Sequence, residues 1–294
     1  MHTLLLLGLF VLPTVGGLAL IARHILSPDR DETRMRWAVA LTAGIAALCA
    51  VALRFMGGDA ALALRWLPGT GPMTLSLGST SLLAAAATAA ALGVTAAVVE
   101  PTSSLVCGTG LLALASGNVA FLAGHFLLRY GALELVGLFI AAAPLLQVRD
   151  RGERTFAAGV HAAWVYLLLR LGDAGLLTAI LVLWTHTGTL EITPALEAGA
   201  ALPIGVQAWV AGGFLLAVAV KIGLWPFHGW VHSEGRLDRL TGTWLYATLM
   251  PNLGLYLLYR VTPLVGAAPV LRWGAIGAGI VAGPDRVAVV AREG

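Results

Sequence analysis

Long runs of apolar residues recur along this chain and restrict its fold more than any other feature. The first run, Thr3–Ala22, has no charged residue and can cross the roughly 30 Å hydrocarbon core of a bilayer as one helix. Only 11% of the residues are charged, against about 25% in a soluble domain. No basic segment precedes this run and further runs follow it, so we interpret it as a retained helix and not as a cleaved signal peptide.

Charges, prolines and glycines divide the chain into segments of membrane-spanning length. The predicted helices span 3–22, 37–53, 80–99, 103–123, 125–147, 157–184, 204–224 and 240–259. A weaker candidate at 264–283 is interrupted by Pro269 and Arg272. The segment 61–80 mixes Trp, Pro and Gly, which predicts a surface hairpin or loop. We therefore expect an all-α integral membrane protein with about eight or nine transmembrane helices.

Arginines in the connections predict which side of the membrane each connection faces, because positive charge is enriched on the cytoplasmic side. One side holds Arg23, Arg30, Arg34, Arg36, Arg149, Arg151, Arg154, Arg236 and Arg239. The other side holds Arg54, Arg65 and Arg260. We expect the N-terminus to lie outside a bacterial cytoplasmic membrane. The pI of about 9.2 then reports membrane topology, and no nucleic-acid partner is expected.

Ionisable residues inside the predicted helices are the main functional signal. They are Glu134, Arg170, Asp173 and Lys221. A charge at the centre of a membrane helix costs roughly 2.5–3.5 kcal/mol on insertion scales, so its presence suggests a function. Lys221 is the only lysine among basic residues that are otherwise arginine and histidine. Burial can bring the pKa of a lysine towards neutrality, whereas arginine stays protonated, so a lysine here indicates a group that gains and releases a proton.

Structural interpretations of the same residues stay open at this point. Lys221 could extend its amine to the membrane surface from a helix end. Arg170 and Asp173 are three positions apart on one helix, so they share a face and could form a purely structural ion pair. Glu134 could be satisfied by Arg129 or by a neighbouring helix.

Pro226 follows Lys221 closely and predicts an interrupted or ended helix beside this buried cation. Carbonyl groups freed by such a break can face polar groups or water. Lys221, His228 and His232 could then form a short polar track. The two histidines have the i, i+4 spacing of a zinc pair, but no third ligand is evident, so we expect no metal.

Several segments together resemble one known family. Lys221-Ile-Gly-Leu-Trp-Pro-Phe-His-Gly-Trp230 resembles the lysine-bearing broken helix of the proton-translocating antiporter-like membrane subunits. Leu169-Arg-Leu-Gly-Asp173, continuing to Gly188-Thr-Leu-Glu191, is similar to the family's Asn-Arg-x-Gly-Asp helix and its following Gly-Thr-Leu. Leu133-Glu-Leu-Val-Gly-Leu138 is similar to its Trp-Glu-x-x-Gly-Leu helix, and Leu255-Tyr-Leu-Leu-Tyr-Arg260 fits the end of its next helix.

This family includes the large antiporter-like subunit of respiratory complex I (NADH-quinone oxidoreductase) and the Mrp antiporter subunits. It also includes membrane partners in hydrogenases and, as DabB, in inorganic-carbon uptake complexes. The resemblance covers about 80–290 and implies that Glu134 pairs with Lys221 across a helix interface. Arg170 and Asp173 would modulate that pair electrostatically, and protons would move through water and side chains without covalent chemistry.

The sequence also departs from the family pattern. Tyr246 stands where a histidine is usual, and tyrosine relays a proton less readily at neutral pH. The family has two inverted five-helix repeats, of which this chain resembles the first, a shortened form. The implied organisation is transmembrane helices 1–3 at 1–100, the antiporter-like repeat at 101–262, and an incomplete ninth helix with a polar tail at 263–294. Another membrane subunit would then supply the second half-channel.

The expected function is that of a proton-translocating subunit in a multi-subunit complex of the complex I type. The proton-transfer candidates are Glu134, Arg170, Asp173, Lys221, His228, His232 and Tyr246. One alternative is a non-conducting structural subunit, favoured by the tyrosine at 246. Another is a DabB-like role that couples ion flux to inorganic-carbon uptake. No phosphate loop, nucleotide fingerprint, nucleophile motif or haem attachment site is visible, so we expect no cofactor, and any redox chemistry would belong to partner subunits.

Overall fold

The computed structural model describes residues 2–26, 32–56, 62–64, 73–99, 103–151, 156–231, 237 and 239–266. The α-helices are α1 (His2–Leu26), α2 (Glu32–Met56), α3 (Ser79–Val98), α4 (Ser104–Leu122), α5 (Phe126–Arg151), α6 (Phe156–Thr187), α7 (Ile192–Gly199), α8 (Ile204–Ile222) and α9 (Met250–Gly266). The remaining elements are strands β1 (Leu62–Leu64) and β2 (Met73–Leu75), a 3-10 turn at Phe227–Trp230 and a π-helical segment at Thr241–Leu249.

Most of these helices have the length and composition of membrane spans. Within the described residues, seven qualify, namely α1 to α6 and α8. The predicted helix at 240–259 is divided between the π-helical segment and α9, which follow each other directly. The prediction of an all-α multi-pass membrane protein is therefore confirmed. Of the weaker candidate at 264–283, the first residues complete α9 and those from 267 onwards lie outside the described part.

Neighbouring helices pack in a bundle that places α6 and α8 side by side. The first helix packs on α2 and α4, and α2 packs on α3. The fifth helix lies between α4 and α6, while α8 contacts both α6 and α9. Because α5, α6 and α8 carry the predicted buried charges, this arrangement brings all of those charges into one region.

One end of the bundle is closed by backbone hydrogen bonds between connections. The predicted hairpin is confirmed, since β1 and β2 pair antiparallel with Leu62 opposite Leu75. The Gly124 N–H in the α4–α5 connection donates to the Thr74 carbonyl at 2.7 Å. The Ile192 N–H, at the start of α7, donates to the Gly124 carbonyl at 2.8 Å. The connections that follow α2, α4 and α6 therefore meet at this end, as expected for consecutive antiparallel spans.

The short helix α7 was not predicted from the sequence. Its buried residues Ile192, Ala195, Leu196 and Gly199 follow the i, i+3, i+4, i+7 spacing of an amphipathic helix. With 8 residues it is too short to cross the bilayer, and it joins α6 to α8 at the bundle end. It therefore lacks the long apolar run by which the spans are recognised in the sequence.

The predicted helix break next to Lys221 is confirmed. The eighth helix ends at Ile222, and Gly223 adopts the left-handed conformation with φ of 71°. The Leu224 N–H donates to the Ala219 carbonyl at 2.8 Å, which is the six-to-one bond of a Schellman cap. The indole N–H of Trp230 donates to the Val220 carbonyl at 2.7 Å, so the last turn that holds Lys221 is fixed by both backbone and side-chain bonds.

Candidate proton-transfer site

Three glycines, Gly172 and Gly175 of α6 and Gly213 of α8, allow these two helices to approach closely near the buried charges. A Cβ atom added at Gly213 of α8 would lie 2.6 Å from the Gly175 carbonyl oxygen of α6. One turn further along, a Cβ atom at Gly172 would lie 2.8 Å from the Cβ of Val220. The two backbones are therefore in contact, which brings Asp173 within reach of Lys221.

Lys221 and Asp173 form a fully buried ion pair. The Lys221 side chain is 0% exposed, and its Nζ donates to Asp173 Oδ1 at 2.6 Å. Gly254 of α9 packs against this lysine, because a Cβ atom there would lie 3.2 Å from the Lys221 Cβ. The amine is thus enclosed by protein, and the interpretation of Lys221 as a residue that extends to the membrane surface is wrong for this structure.

The ion pair continues into a chain of four alternating charges. Arg170 Nη2 lies 3.0 Å from Asp173 Oδ2, which confirms the predicted pair, although the contact is ionic and not a well-aligned hydrogen bond. Arg170 Nη1 contacts the carboxylate of Glu134 on α5. The order Glu134, Arg170, Asp173, Lys221 therefore alternates negative and positive and has no net charge when all four are ionised.

The structure corrects the pairing that the family resemblance implied. Glu134 was expected to bind Lys221 directly, but the described contacts place Arg170 and Asp173 between them. The reason is helix order: α5 packs on α6, and α6 presents its own carboxylate to α8. The suggestion that Arg129 satisfies Glu134 is also wrong, because Arg129 donates to the carbonyls of Ala120 and Ala123 at the end of α4.

Arg170 is held by an aromatic ring that the sequence analysis did not identify. Its guanidinium carbon lies 5.1 Å from the ring centroid of Tyr166, in a cation–π contact. The two residues are four positions apart on α6, so the i, i+4 spacing could have revealed the contact. The Arg170 and Glu134 side chains are 27% and 17% exposed. The Glu134–Arg170 end of the charge chain therefore approaches the bundle surface, whereas Lys221 does not.

The other predicted proton-transfer residues lie apart from the charge chain or outside the described part. Tyr246 is buried in the π-helical segment, and its hydroxyl donates to the Ile140 carbonyl of α5 at 2.6 Å. His228 is exposed in the 3-10 turn. His232 lies outside the described residues, so its place in the predicted polar track remains a prediction.

Comparison with known proteins assigns the family. The profile of the NADH:quinone oxidoreductase/Mrp antiporter transmembrane family matches residues 123–278, more than half of the chain. The chain belongs to this family. The matched residues include all four members of the charge chain. They also include α6 and α8, the two helices that the glycines bring into contact.

Individual relatives are similar over parts of their length. The chain is 33% identical over 99 residues to NADH-ubiquinone oxidoreductase chain 4 of Metridium senile, covering 33% of this chain and 20% of that protein. It is 30% identical over 109 residues to formate hydrogenlyase subunit 3 of Escherichia coli, covering 37% of this chain and 17% of that protein. The matched part is thus a fifth or less of these relatives.

Solved structures show the same fold over nearly the whole chain. A chain of respiratory complex I from Thermus thermophilus with bound NADH matches with a TM-score of 0.69 and 25% identity. That match covers 91% of this chain and 54% of the other. The Mrp complex from Dietzia sp. matches with a TM-score of 0.72 and 20% identity, covering 90% of this chain and 28% of the other, which supports the fold alone.

Proposed function

We propose that this protein is a proton-translocating, antiporter-like subunit of a multi-subunit membrane complex. The observation that carries the proposal is the chain of alternating charges from Glu134 to Lys221 inside membrane-spanning helices. Charges at this depth are costly, and they are typical of proton pathways. The antiporter-like unit at 101–262 is the proposed functional part.

The proposed mechanism uses Asp173 as an anion shared by two cations. When Asp173 binds Lys221, the attraction keeps the amine protonated, and when it moves towards Arg170 that attraction weakens. Because charges interact strongly in a low dielectric, a small displacement changes the proton affinity of the lysine. Arg170 cannot release its proton, so it sets the electrostatic balance while Lys221 and the two carboxylates exchange protons.

The proposed entry point for protons is Glu134. Its Oε1 atom and Arg170 Nε are buried without a hydrogen-bond partner in the described part of the chain. Leaving such atoms unsatisfied is expensive, so water or a polar group of a neighbouring subunit is expected beside them. The proposed proton route beyond Lys221 includes Tyr246, His228 and His232.

The proposed setting is a complex with other membrane subunits. Two of the similar proteins, NADH-ubiquinone oxidoreductase chain 4 and formate hydrogenlyase subunit 3, are named as parts of larger assemblies, and the Glu134–Arg170 end of the charge chain reaches the bundle surface. We place the N-terminus outside a bacterial cytoplasmic membrane, since the arginine-rich connections then face the cytoplasm.

Two replacements of Lys221 test the proposal in the native complex reconstituted into proteoliposomes. Lys221→Ala removes the amine, and Lys221→Arg keeps a positive charge that does not release its proton at neutral pH. Both variants are expected to abolish proton flux, measured with a trapped pH-sensitive dye, while the complex still copurifies. Arg239→Ala is the matched control, because Arg239 is an exposed basic residue outside the charge chain, and it should conduct normally.

The pattern of results separates conduction from a structural role. If Lys221→Arg assembles and conducts as the wild type does, Lys221 serves only as a fixed positive charge and the proposal fails. A non-conducting structural subunit is the alternative function, and one observation favours it: the Tyr246 hydroxyl is engaged by a backbone carbonyl instead of facing the lysine. In that case the wild-type chain itself would add no flux to the complex.

A further inference from the structure

A groove lies between α7 and α9, at the end of α8 opposite to Lys221. Its volume is about 410 Å³, within the roughly 300–1,000 Å³ range of small-molecule sites. Five polar or aromatic side chains line it: Thr193 and Glu197 from α7, and Tyr259, Arg260 and Thr262 from α9. None of them belongs to the charge chain, so any ligand of this groove is separate from the proposed proton site.

The groove lies at the level where lipid headgroups meet the bundle. The span α6 ends at Thr187 and the span α8 begins at Ile204, so α7 lies in the connection between two membrane spans. Exposed aromatic residues surround the same end, since Trp184 is near the end of α6, Trp209 is near the start of α8 and Tyr259 is on α9. Tryptophan and tyrosine concentrate at membrane interfaces, which supports this depth.

One wall of the groove is suited to an anion. Arg260 Nη2 donates to the Thr193 hydroxyl at 3.0 Å, which leaves the hydroxyl hydrogen available to a ligand. The Arg260 Nε has no hydrogen-bond partner among the described residues. No described carboxylate forms an ion pair with Arg260. A guanidinium group without a carboxylate partner therefore favours a phosphate beside Arg260.

The α7 side of the groove also carries a carboxylate. Glu197 follows Thr193 by one helical turn, and both are exposed on the same face of α7. In the part of the chain that the structure describes, Glu197 forms no ion pair, with Arg260 or with any other cation. The groove thus offers one site for a negative group and another for a positive group, side by side at the membrane surface.

We propose that this groove binds the headgroup of a zwitterionic aminophospholipid. Its phosphate would contact Arg260 and the Thr193 hydroxyl, and its primary ammonium would donate hydrogen bonds to Glu197. A phosphatidylethanolamine headgroup supplies both groups, an anionic phosphate and a primary ammonium. A phosphatidylglycerol headgroup places no cation beside Glu197, and the quaternary ammonium of phosphatidylcholine has no N–H donor for the carboxylate.

Lipid titration of the purified native complex tests this assignment. The complex is depleted of lipid by detergent exchange and titrated with phosphatidylethanolamine, phosphatidylcholine or phosphatidylglycerol, and the lipids retained per chain are counted by native mass spectrometry. The wild type should retain phosphatidylethanolamine preferentially. Arg260→Gln should weaken retention of all three lipids by about tenfold, since each loses a charge-assisted contact to its phosphate. Glu197→Gln should remove the preference for ethanolamine without loss of the other two.

The controls make each outcome decisive. Arg239→Gln changes an exposed arginine distant from the groove and should retain lipid as the wild type does. Unchanged retention and preference in both groove variants would overturn the proposal. Displacement of the retained lipid by millimolar inorganic phosphate would assign the groove to a free phosphate ion and would overturn it as well. Because the readout is lipid binding, none of these results depends on whether the complex conducts protons.

Discussion

Removal of the Asp173 charge should destabilise the folded protein more than any other single change in the charge chain. Asp173 is 1% exposed and binds Lys221 and Arg170, so Asp173→Asn leaves the fully buried lysine without its anion. Breaking a buried ion pair by the loss of one partner costs about 3–5 kcal/mol. Glu134→Gln should cost less, about 1–2 kcal/mol, because the Glu134 side chain is 17% exposed and Arg170 keeps its contact with Asp173.

A second replacement at Lys221 should recover part of this loss. In the double variant D173N/K221M the buried cation is absent, so no uncompensated charge remains between α6 and α8. Replacing both members of a buried pair by neutral groups is often close to neutral in free energy. The free energy lost in the double variant should therefore be smaller than the sum of the two single losses by at least about 2 kcal/mol.

Reversible unfolding of the purified full chain in mixed micelles, followed by circular dichroism, measures these free energies. Because α5 to α8 keep their contacts in each variant, the comparison isolates the pair between Asp173 and Lys221. If the two single losses simply add within about 0.5 kcal/mol, the two residues are not coupled in the folded protein and the proposed pairing is wrong.

Three further predictions concern backbone positions and Tyr246. Gly223→Ala should lower the unfolding temperature more than Gly188→Ala. Both glycines have φ of 71°, but only at Gly223 would an added Cβ meet a side chain, at 2.5 Å from Val231 Cγ2. Equal shifts in unfolding temperature would contradict this close packing. Gly213→Val should separate α6 from α8 and reduce proton flux in proteoliposomes, whereas Gly212→Val, which points to open space, should not. Tyr246→Phe should destabilise the chain by about 1–2 kcal/mol through the lost bond to a buried carbonyl, and it should reduce proton flux because Tyr246 is a predicted member of the proton route; unchanged flux would remove Tyr246 from that route.

Much of the fold could be predicted because membrane insertion is decided by local composition. The apolar runs placed the spans within a few residues of their observed bounds, since each run must itself satisfy the bilayer. The break after Lys221 was also predictable, because Pro226 and Gly223 act on the backbone at their own positions. The short helix α7 and the π-helical division of the last predicted helix escaped this approach, because α7 is too short to cross the bilayer and apolar composition does not distinguish a π-helical turn from an α-helical one.

The sequence by itself determined that charges lie within the membrane and that the only lysine is among them. Which charges meet between different helices was decided by tertiary structure: Lys221 binds Asp173, not Glu134, because glycines at the crossing of α6 and α8 bring those two backbones into contact. The groove between α7 and α9 has the same origin, since Glu197 and Arg260 are far apart in the chain. Burial cost is a property of each residue, whereas ion pairing depends on distances that only helix packing sets.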